Sequence, residues 1–260
     1  MDFSSPKWRL YDLLVALTPP TATVEAAAFG PYWAALKSSQ GGTGLAHILP
    51  HKNPSPRPDP QSLVGRPLKE LALLIKSWDL VETALGLAAI NATANSALLN
   101  QGLTATSKEA GAAAFDCRLQ KATGQKVAVI GHFPKMDNLK AAAKEFYVFE
   151  RDPQSGDLPD PAVEYLLPAM DVVFITGSSL ANKTLPRLLE LAAKAWVGLV
   201  GPSVPLIPDL FQEGIDSLSG TVFHDFPQIA KAIGEGIASS LFRYGGFRIN
   251  LGPDFKFKRV

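Results

Sequence analysis

Val127-Ala128-Val129-Ile130-Gly131-His132-Phe133-Pro134 decides how this chain is read. A short, uninterrupted apolar run closed by a glycine is the pattern of a strand buried on both faces, as in a parallel sheet covered by helices. The pattern recurs at Tyr147-Val148-Phe149, at Val172-Val173-Phe174-Ile175, at Trp196-Val197-Gly198-Leu199-Val200 and, more weakly, from Ser219 to Phe223. Between these runs lie helical stretches at Pro134 to Lys144, Pro161 to Leu167, Leu185 to Lys194 and Pro208 to Glu213, and Asp225 with Gln228 makes a capping box for a last helix. The order βαβαβαβαβ predicts a Rossmann-like doubly wound sheet over residues 124–260.

Upstream the pattern differs. Ser5 and Pro6 read as the N-cap and first position of a helix bearing Leu10, Leu13, Leu14 and Leu17, stopped by Pro19-Pro20. Thr21 to Phe29, Tyr32 to Leu36 and Leu45 to Leu49 are separated by Gly30-Pro31 and Gly41-Gly42-Thr43-Gly44, which predicts an antiparallel meander of two or three strands. Prolines at 54, 56, 58 and 60 deny the chain both helix and ladder hydrogen bonds, so His51 to Ser62 reads as a surface loop. One helix then carries Leu68, Leu71, Leu74 and Ile75, and another runs from about Leu80 to Leu99. Thr106 and Glu109 cap a third that ends near Ala122, with Gly124 as its terminator. A smaller α+β domain over 1–123 therefore precedes the Rossmann-like one.

The helix from Leu80 holds an anomaly. Val81, Leu85, Ala88 and Ala92 form a stripe whose next step is Asn95, and the neighbouring stripe of Ala84 and Leu87 lands on Asn91. Two amides stand where the pattern wants hydrocarbon. Either they satisfy neighbouring backbone groups, as a buried amide must at a cost of roughly 1–3 kcal/mol if it does not, or Asn91 faces a ligand.

In doubly wound sheets ligands bind beyond the carboxyl ends of the strands. Those ends are Gly131-His132-Phe133-Pro134, Glu150-Arg151, Thr176-Gly177-Ser178-Ser179 and Gly201-Pro202-Ser203. Glycines admit close approach of a ligand, hydroxyls and amides bind polar groups, and a carboxylate can hold a hydroxyl pair. Ordinary turn chemistry accounts for each of these motifs singly, and a pocket rim accounts for the four together. Glu150 lies 19 residues past Gly131, near the spacing of a ribose-binding acid. Phe133 and Pro134 nonetheless occupy the turn where a G-x-G-x-x-G fingerprint would cradle a pyrophosphate, so NAD is not expected, while a nucleoside or S-adenosylmethionine at a methyltransferase-like pocket stays open.

Composition excludes other classes. Lys and Arg number 25 against 24 Asp and Glu, a net charge of +1 without basic runs, so nucleic acid is not an expected partner. The single cysteine, Cys117, cannot form an internal disulfide and reads as a packing residue on a predicted helix. The N-terminus lacks the order of a signal peptide and no membrane-spanning run follows, so a cytoplasmic location and no membrane partner are expected. The histidines, at 47, 51, 132 and 224, lack metal-ligand spacing. No G-x-S-x-G elbow surrounds Ser203.

Several motifs in order make the chain resemble a known family of two-part bacterial and archaeal proteins described as "putative heavy-metal chelation". They are Gly41 to Ala46, Gly86 to Ala92, Gly131 to Pro134, Phe149-Glu150-Arg151, Thr176-Gly177 with Asn182-Lys183-Thr184-Leu185, and Gly201-Pro202-Ser203. The Pro54 to Pro60 stretch does not match. The resemblance implies an enolase-N-terminal-like domain followed by a Rossmann-like one, a site between them with methyltransferase-like features, and a role in making or handling chelators related to siderophores, pterins or flavins, by condensation or hydrolysis. On this reading His132 is the general acid or base, Glu150 orients a hydroxyl or shares proton transfer, and Lys183 counters an anionic group. Asn91 reaches across from the first domain, and Gly131, Phe133, Thr176, Gly177, Ser178, Asn182, Gly201, Pro202 and Ser203 contact the ligand. The rival is a carrier or sensor of a metal chelate, without chemistry. The expected partner is a small molecule, with self-association open; no cofactor is assigned, and no metal held by protein groups alone.

Overall fold

A computed structural model describes residues 6–52, 54–105 and 114–255. Ser5, Thr106, Glu109 and the Cys117 side chain lie outside the description, and with them the two caps expected there. A 3-10 turn, Pro6–Trp8, leads into α1 (Arg9–Ala16), whose Leu10, Tyr11, Leu14 and Val15 are buried at helical spacing. Strands β1 (Val24–Phe29), β2 (Trp33–Ser38) and β3 (Thr43–His47) form the antiparallel meander. Residues 54–59 have no regular structure. Helix α2 (Leu68–Ala72) tightens into a 3-10 turn, Leu73–Lys76, before α3 (Leu80–Asn100), whose first amides, on Val81 and Glu82, donate to the Asp79 carboxylate, each at 2.9 Å. Next come α4 (Ala114–Cys117) and α5 (Leu119–Ala122), two short helices interrupted at Arg118, whose side chain reaches Ser217 Oγ at 3.0 Å and lies over the Trp196 ring.

The second half runs β4 (Lys126–Ile130), α6 (Asp137–Ala142), β5 (Glu145–Glu150), β6 (Leu158–Pro159), α7 (Val163–Leu166), β7 (Val172–Thr176), α8 (Leu185–Leu191), β8 (Trp196–Val200), β9 (Ser217–Phe223), α9 (Phe226–Gly234) and β10 (Gly246–Leu251). Two elements differ from expectation. The helix expected at Pro161 to Leu167 is split into a 3-10 turn, α7 and another 3-10 turn, because Pro161 and Pro168 interrupt regular hydrogen bonding. Pro208–Glu213 is a 3-10 helix, ended by Gly214 at φ 83°. The short β6 and the whole of β10 had no counterpart in the reading of the sequence.

The ten strands of the described residues form one sheet, ordered β1-β2-β3-β9-β8-β7-β4-β5-β6, with β10 antiparallel on β9. From β6 to β9 every pairing is parallel. Numbered within that part alone the order is 3-2-1-4-5-6, the doubly wound dinucleotide-fold arrangement. Strand alternation sorts the two faces. Ala34 and Leu36 join the core under α3, whereas Trp33 and Ala35 pack with Phe226, Ile229 and Ile233 of α9. Likewise Ala128 and Ile130 face α8, while Val127 and Val129 face Phe115 and Leu139.

The meander meets the parallel strands at a narrow seam. Only Thr43 and Phe223 are in register between β3 and β9, against five pairs between β7 and β8. Helix α3 lies across this seam so closely that a Cβ on Gly44 would stand 2.1 Å from the Ala88 carbonyl oxygen. Its two anomalous amides bridge the gap. Asn95 Nδ2 donates to the carbonyls of Thr43, at 2.6 Å, and Thr221, at 3.4 Å; Asn91 Nδ2 donates to those of Leu45, at 2.7 Å, and Ser203, at 3.1 Å. Side-chain donors thus replace ladder amides where the strands part.

Candidate functional site

The strand order reverses between β4 and β7, and the chain leaves these neighbours in opposite directions, which opens a crevice at their carboxyl ends. Gly131 after β4, at φ 98°, and Gly201 after β8, at φ 115°, turn there in a region that side chains disfavour. Two adjoining cavities occupy the crevice, of about 330 Å³ and about 670 Å³, and both have His47, His132, Phe133, Thr176 and Ser178 in their walls. Gly131, Glu150, Asn182 and Lys183 line the larger lobe; Gly201, Pro202 and Ser203 line the smaller. Residues from four strand ends are thereby brought together.

Two of the residues selected from sequence stand elsewhere. Asn91 is only 2% exposed, behind Ser203, with its amide committed to the seam, so it does not face the cleft. The reason is the close packing of α3 on β3, which leaves no room for a ligand between them. Gly177 sits behind the wall as well; a Cβ there would lie 2.6 Å from the Val204 nitrogen.

His132 is held through one ring nitrogen. Its Nδ1 lies 3.1 Å from Oδ2 of Asp157, a carboxylate 5% exposed that also accepts the Gln154 amide at 3.0 Å. A carboxylate on one ring nitrogen fixes the orientation of an imidazole and leaves Nε2 outside that contact. Nε2 makes no hydrogen bond with the described residues. Glu150 does something different from holding a free hydroxyl pair: Oε2 accepts the His132 amide at 2.9 Å and Oε1 the Arg151 amide at 2.7 Å. It fixes the turn that carries His132, and the residue lines the larger lobe. Asn182 is turned inward on Thr184, whose N–H and hydroxyl donate to Oδ1 at 3.1 and 2.7 Å.

Lys183 lines the larger lobe but points its ammonium at the first half of the chain. Nζ donates to the Ser77 carbonyl, to Thr83 Oγ1 at 2.9 Å and to the Ala181 carbonyl at 3.0 Å. Burial lowers its pKa to about 8. With three acceptors for three protons, it clasps the start of α3 to the cleft loop, from a left-handed backbone at φ 65°.

Sequence reasoning passed over His47, Asp157 and Arg248. His47, at the end of β3, stands in the neck between the lobes. Its N–H donates to Ser203 Oγ at 3.0 Å and its ring lies 5.0 Å from that of Trp33. Burial holds the imidazole below its usual pKa, an effect that the nearby Glu150 carboxylate partly opposes. Arg248 lines the smaller lobe from β10. The alternation Phe247, Arg248, Ile249, Asn250, Leu251 is a strand signal that could have found it.

Two models of the family described as "Putative heavy-metal chelation" match this chain, over residues 11–94 and 113–250. A protein of Methanocaldococcus jannaschii called uncharacterized is 35% identical over 188 residues, 69% of this chain and 70% of its own. The chain belongs to this family. A family crystal structure from Desulfitobacterium hafniense, of a protein with unknown function, superposes with a TM-score of 0.84 at 31% identity, covering 96% of this chain and 100% of that one. Another, from Pyrococcus horikoshii, shares the fold with a TM-score of 0.74 at 22% identity, over 95% and 99% of the two chains.

The family's description invites a test of the donor set. Among the described residues no three His, Cys, Asp or Glu side chains are grouped so that they could hold a metal ion. His132 Nδ1 is taken by Asp157, and the Glu150 oxygens by backbone amides. These residues do not fit a metal held by protein groups alone. No helix of the described residues is long and apolar enough to cross a membrane.

Proposed function

We propose that the two-lobed cleft binds a small organic molecule and that His132, oriented by Asp157, transfers a proton to or from it, in a condensation or hydrolysis that makes or modifies a metal chelator. The observation that carries this reading is the His132–Asp157 contact at the junction of two cavities, at the switch point where doubly wound sheets bind ligands. In such a step Nε2 takes a proton from a water, hydroxyl or amine of the bound pair of reactants, Asp157 balances the imidazolium, and the proton returns to the leaving group. Family membership supports the connection to metals, and the donor set supports placing any metal inside the ligand rather than on the protein. A nucleoside is less well served, since its hydroxyls would compete with two backbone amides for Glu150.

A thermal-shift screen of aromatic acids, pterins, flavins, S-adenosylmethionine and NAD tests the ligand class. A ligand at 100 times its Kd adds about 2.7 kcal/mol of apparent stability. A ring-bearing compound is expected to raise Tm in the wild type but not in Ser178→Trp, which fills the passage shared by the lobes. For the compound found, His132→Asn is expected to keep binding and lose turnover; a variant that still turns over would refute the acid–base role.

A further inference from the structure

The cations around the cleft are unequally committed. In the larger lobe Arg187 is held by Glu164, at 2.6 and 3.0 Å, and by Glu190, at 2.9 Å; Arg151 meets Asp160 at 3.3 Å, and Lys183 is satisfied as described. Arg248, in the smaller lobe, makes no hydrogen bond or ion pair with the described residues. Its guanidinium lies over the Phe242 ring, with Cζ 3.7 Å from the centroid. Asp116 and Arg243 act on it through space, with opposite signs.

The strand register explains how it is held there. Arg248 pairs with Thr221, and Asn250 with Ser219, so these polar side chains share one face of the β9–β10 ribbon, while Phe247, Ile249 and Leu251 anchor the other in the core. Ser203, Ser219 and Thr221 add hydroxyls to the lobe, and Trp33, Phe115 and Phe133 add rings. A guanidinium has five donors in a planar fork that matches an oxyanion, and a partly buried one with no carboxylate bonded to it is a strong anion receptor. At about 330 Å³ the lobe lies near the lower end of the usual range for ligand sites, which suits one or two rings.

We propose that Arg248 anchors the oxyanion of a ring-bearing acid in the smaller lobe, with the ring against Phe133 and the reacting end toward His47 and His132. The shared chemistry is a planar aromatic group bearing a carboxylate or a phosphate. This inference rests on the cleft being a ligand site, and deepens that reading by naming the class of ligand.

Calorimetry with 2-naphthoate, 2-naphthyl phosphate and neutral 2-naphthamide tests it, on wild type, Arg248→Gln and Arg248→Lys. At least one of the anions is expected to bind wild type about tenfold or more tighter than the amide, and whichever anion does so identifies the oxyanion. Arg248→Gln is expected to abolish that preference while leaving amide affinity unchanged, which also shows the lobe intact; Arg248→Lys is expected to restore part of it. A preference that survives Arg248→Gln, or an amide that binds wild type as tightly as both anions, overturns the proposal and leaves the cleft as a ligand site. If none of the three binds, and none moves the NMR resonances of His47 or His132, the anion anchor falls together with the ligand reading of the cleft.

Discussion

Asn91 and Asn95 on α3 and the polar residues at the four strand ends look alike in sequence, as polar positions inside apolar surroundings, but the structure uses them in opposite ways. The Nδ2 groups are consumed: that of Asn95 joins β3 to β9 and that of Asn91 joins β3 to the turn after β8, although Asn91 Oδ1 has no partner among the described residues, and both residues are almost fully buried. The strand ends are partly free, since glycines at positive φ turn the backbone away and the next side chains face solvent-accessible cavities. The difference teaches that a polar residue inside a packed element is bound to the backbone, whereas one just past a strand's carboxyl end is available for chemistry. Buried carbonyls must find donors, and where the ladder stops the nearest side chain supplies them.

Changes at the seam should be felt most in stability. Gly44→Ala places a Cβ between the Ala88 oxygen and the Ala92 nitrogen, each 2.1 Å away, and forces α3 off the sheet. A loss of about 3 kcal/mol or more in urea unfolding is expected; a loss below about 1 kcal/mol would show that helix and strand are not in contact. Asn95→Leu keeps the volume but strands the Thr43 and Thr221 carbonyls, and roughly 2–3 kcal/mol should go, at about 1–3 kcal/mol for a fully orphaned group and less for the longer bond. A neutral result there would mean that water reaches the seam and does the work assigned to the amide.

The smallest expected effect lies at the cleft and concerns charge rather than stability. An NMR titration of His47 should give a midpoint below 6.5, its ordinary value, because burial disfavours the imidazolium. Glu150→Gln should lower the midpoint further by removing a carboxylate field that favours the charged ring. A folded-state pKa below the unfolded one means that His47 contributes stability above pH 6.5 and that this is lost as pH falls through the lowered value. A midpoint above 6.5 would place His47 in a wetter, more acidic setting than the neck between the lobes.

Much of the fold was legible because buried parallel strands announce themselves. Val127 to Ile130, Val172 to Ile175 and Trp196 to Val200 are all strands where their apolar runs predict them, and Gly131 and Gly201 end two of them at positive φ. The 3-10 segments and β6 were not legible, since short elements are decided by contacts rather than by periodicity. His132 was found because it follows a strand directly. Asp157 was not, because the turn that returns it to His132 Nδ1 leaves no periodic trace. His47 and Arg248 sit on antiparallel strands far from the strand-end motifs in sequence, and they enter the cleft only because β3 and β9–β10 lie next to each other in the sheet.

The sequence by itself determined the order of the main parallel strands, the doubly wound class and the cluster of glycines and hydroxyls at strand ends, because these rest on local periodicity and on turn geometry that only glycine adopts cheaply. Tertiary structure alone decided that Asn91 serves the seam rather than the cleft, that Lys183 is a clasp, that Glu150 holds a turn, and that Arg248 is left with its donors unspent. A side chain's role depends on which hydrogen-bonding groups the fold leaves unpaired beside it, and that pairing is settled across the sheet, between residues that the chain itself keeps far apart.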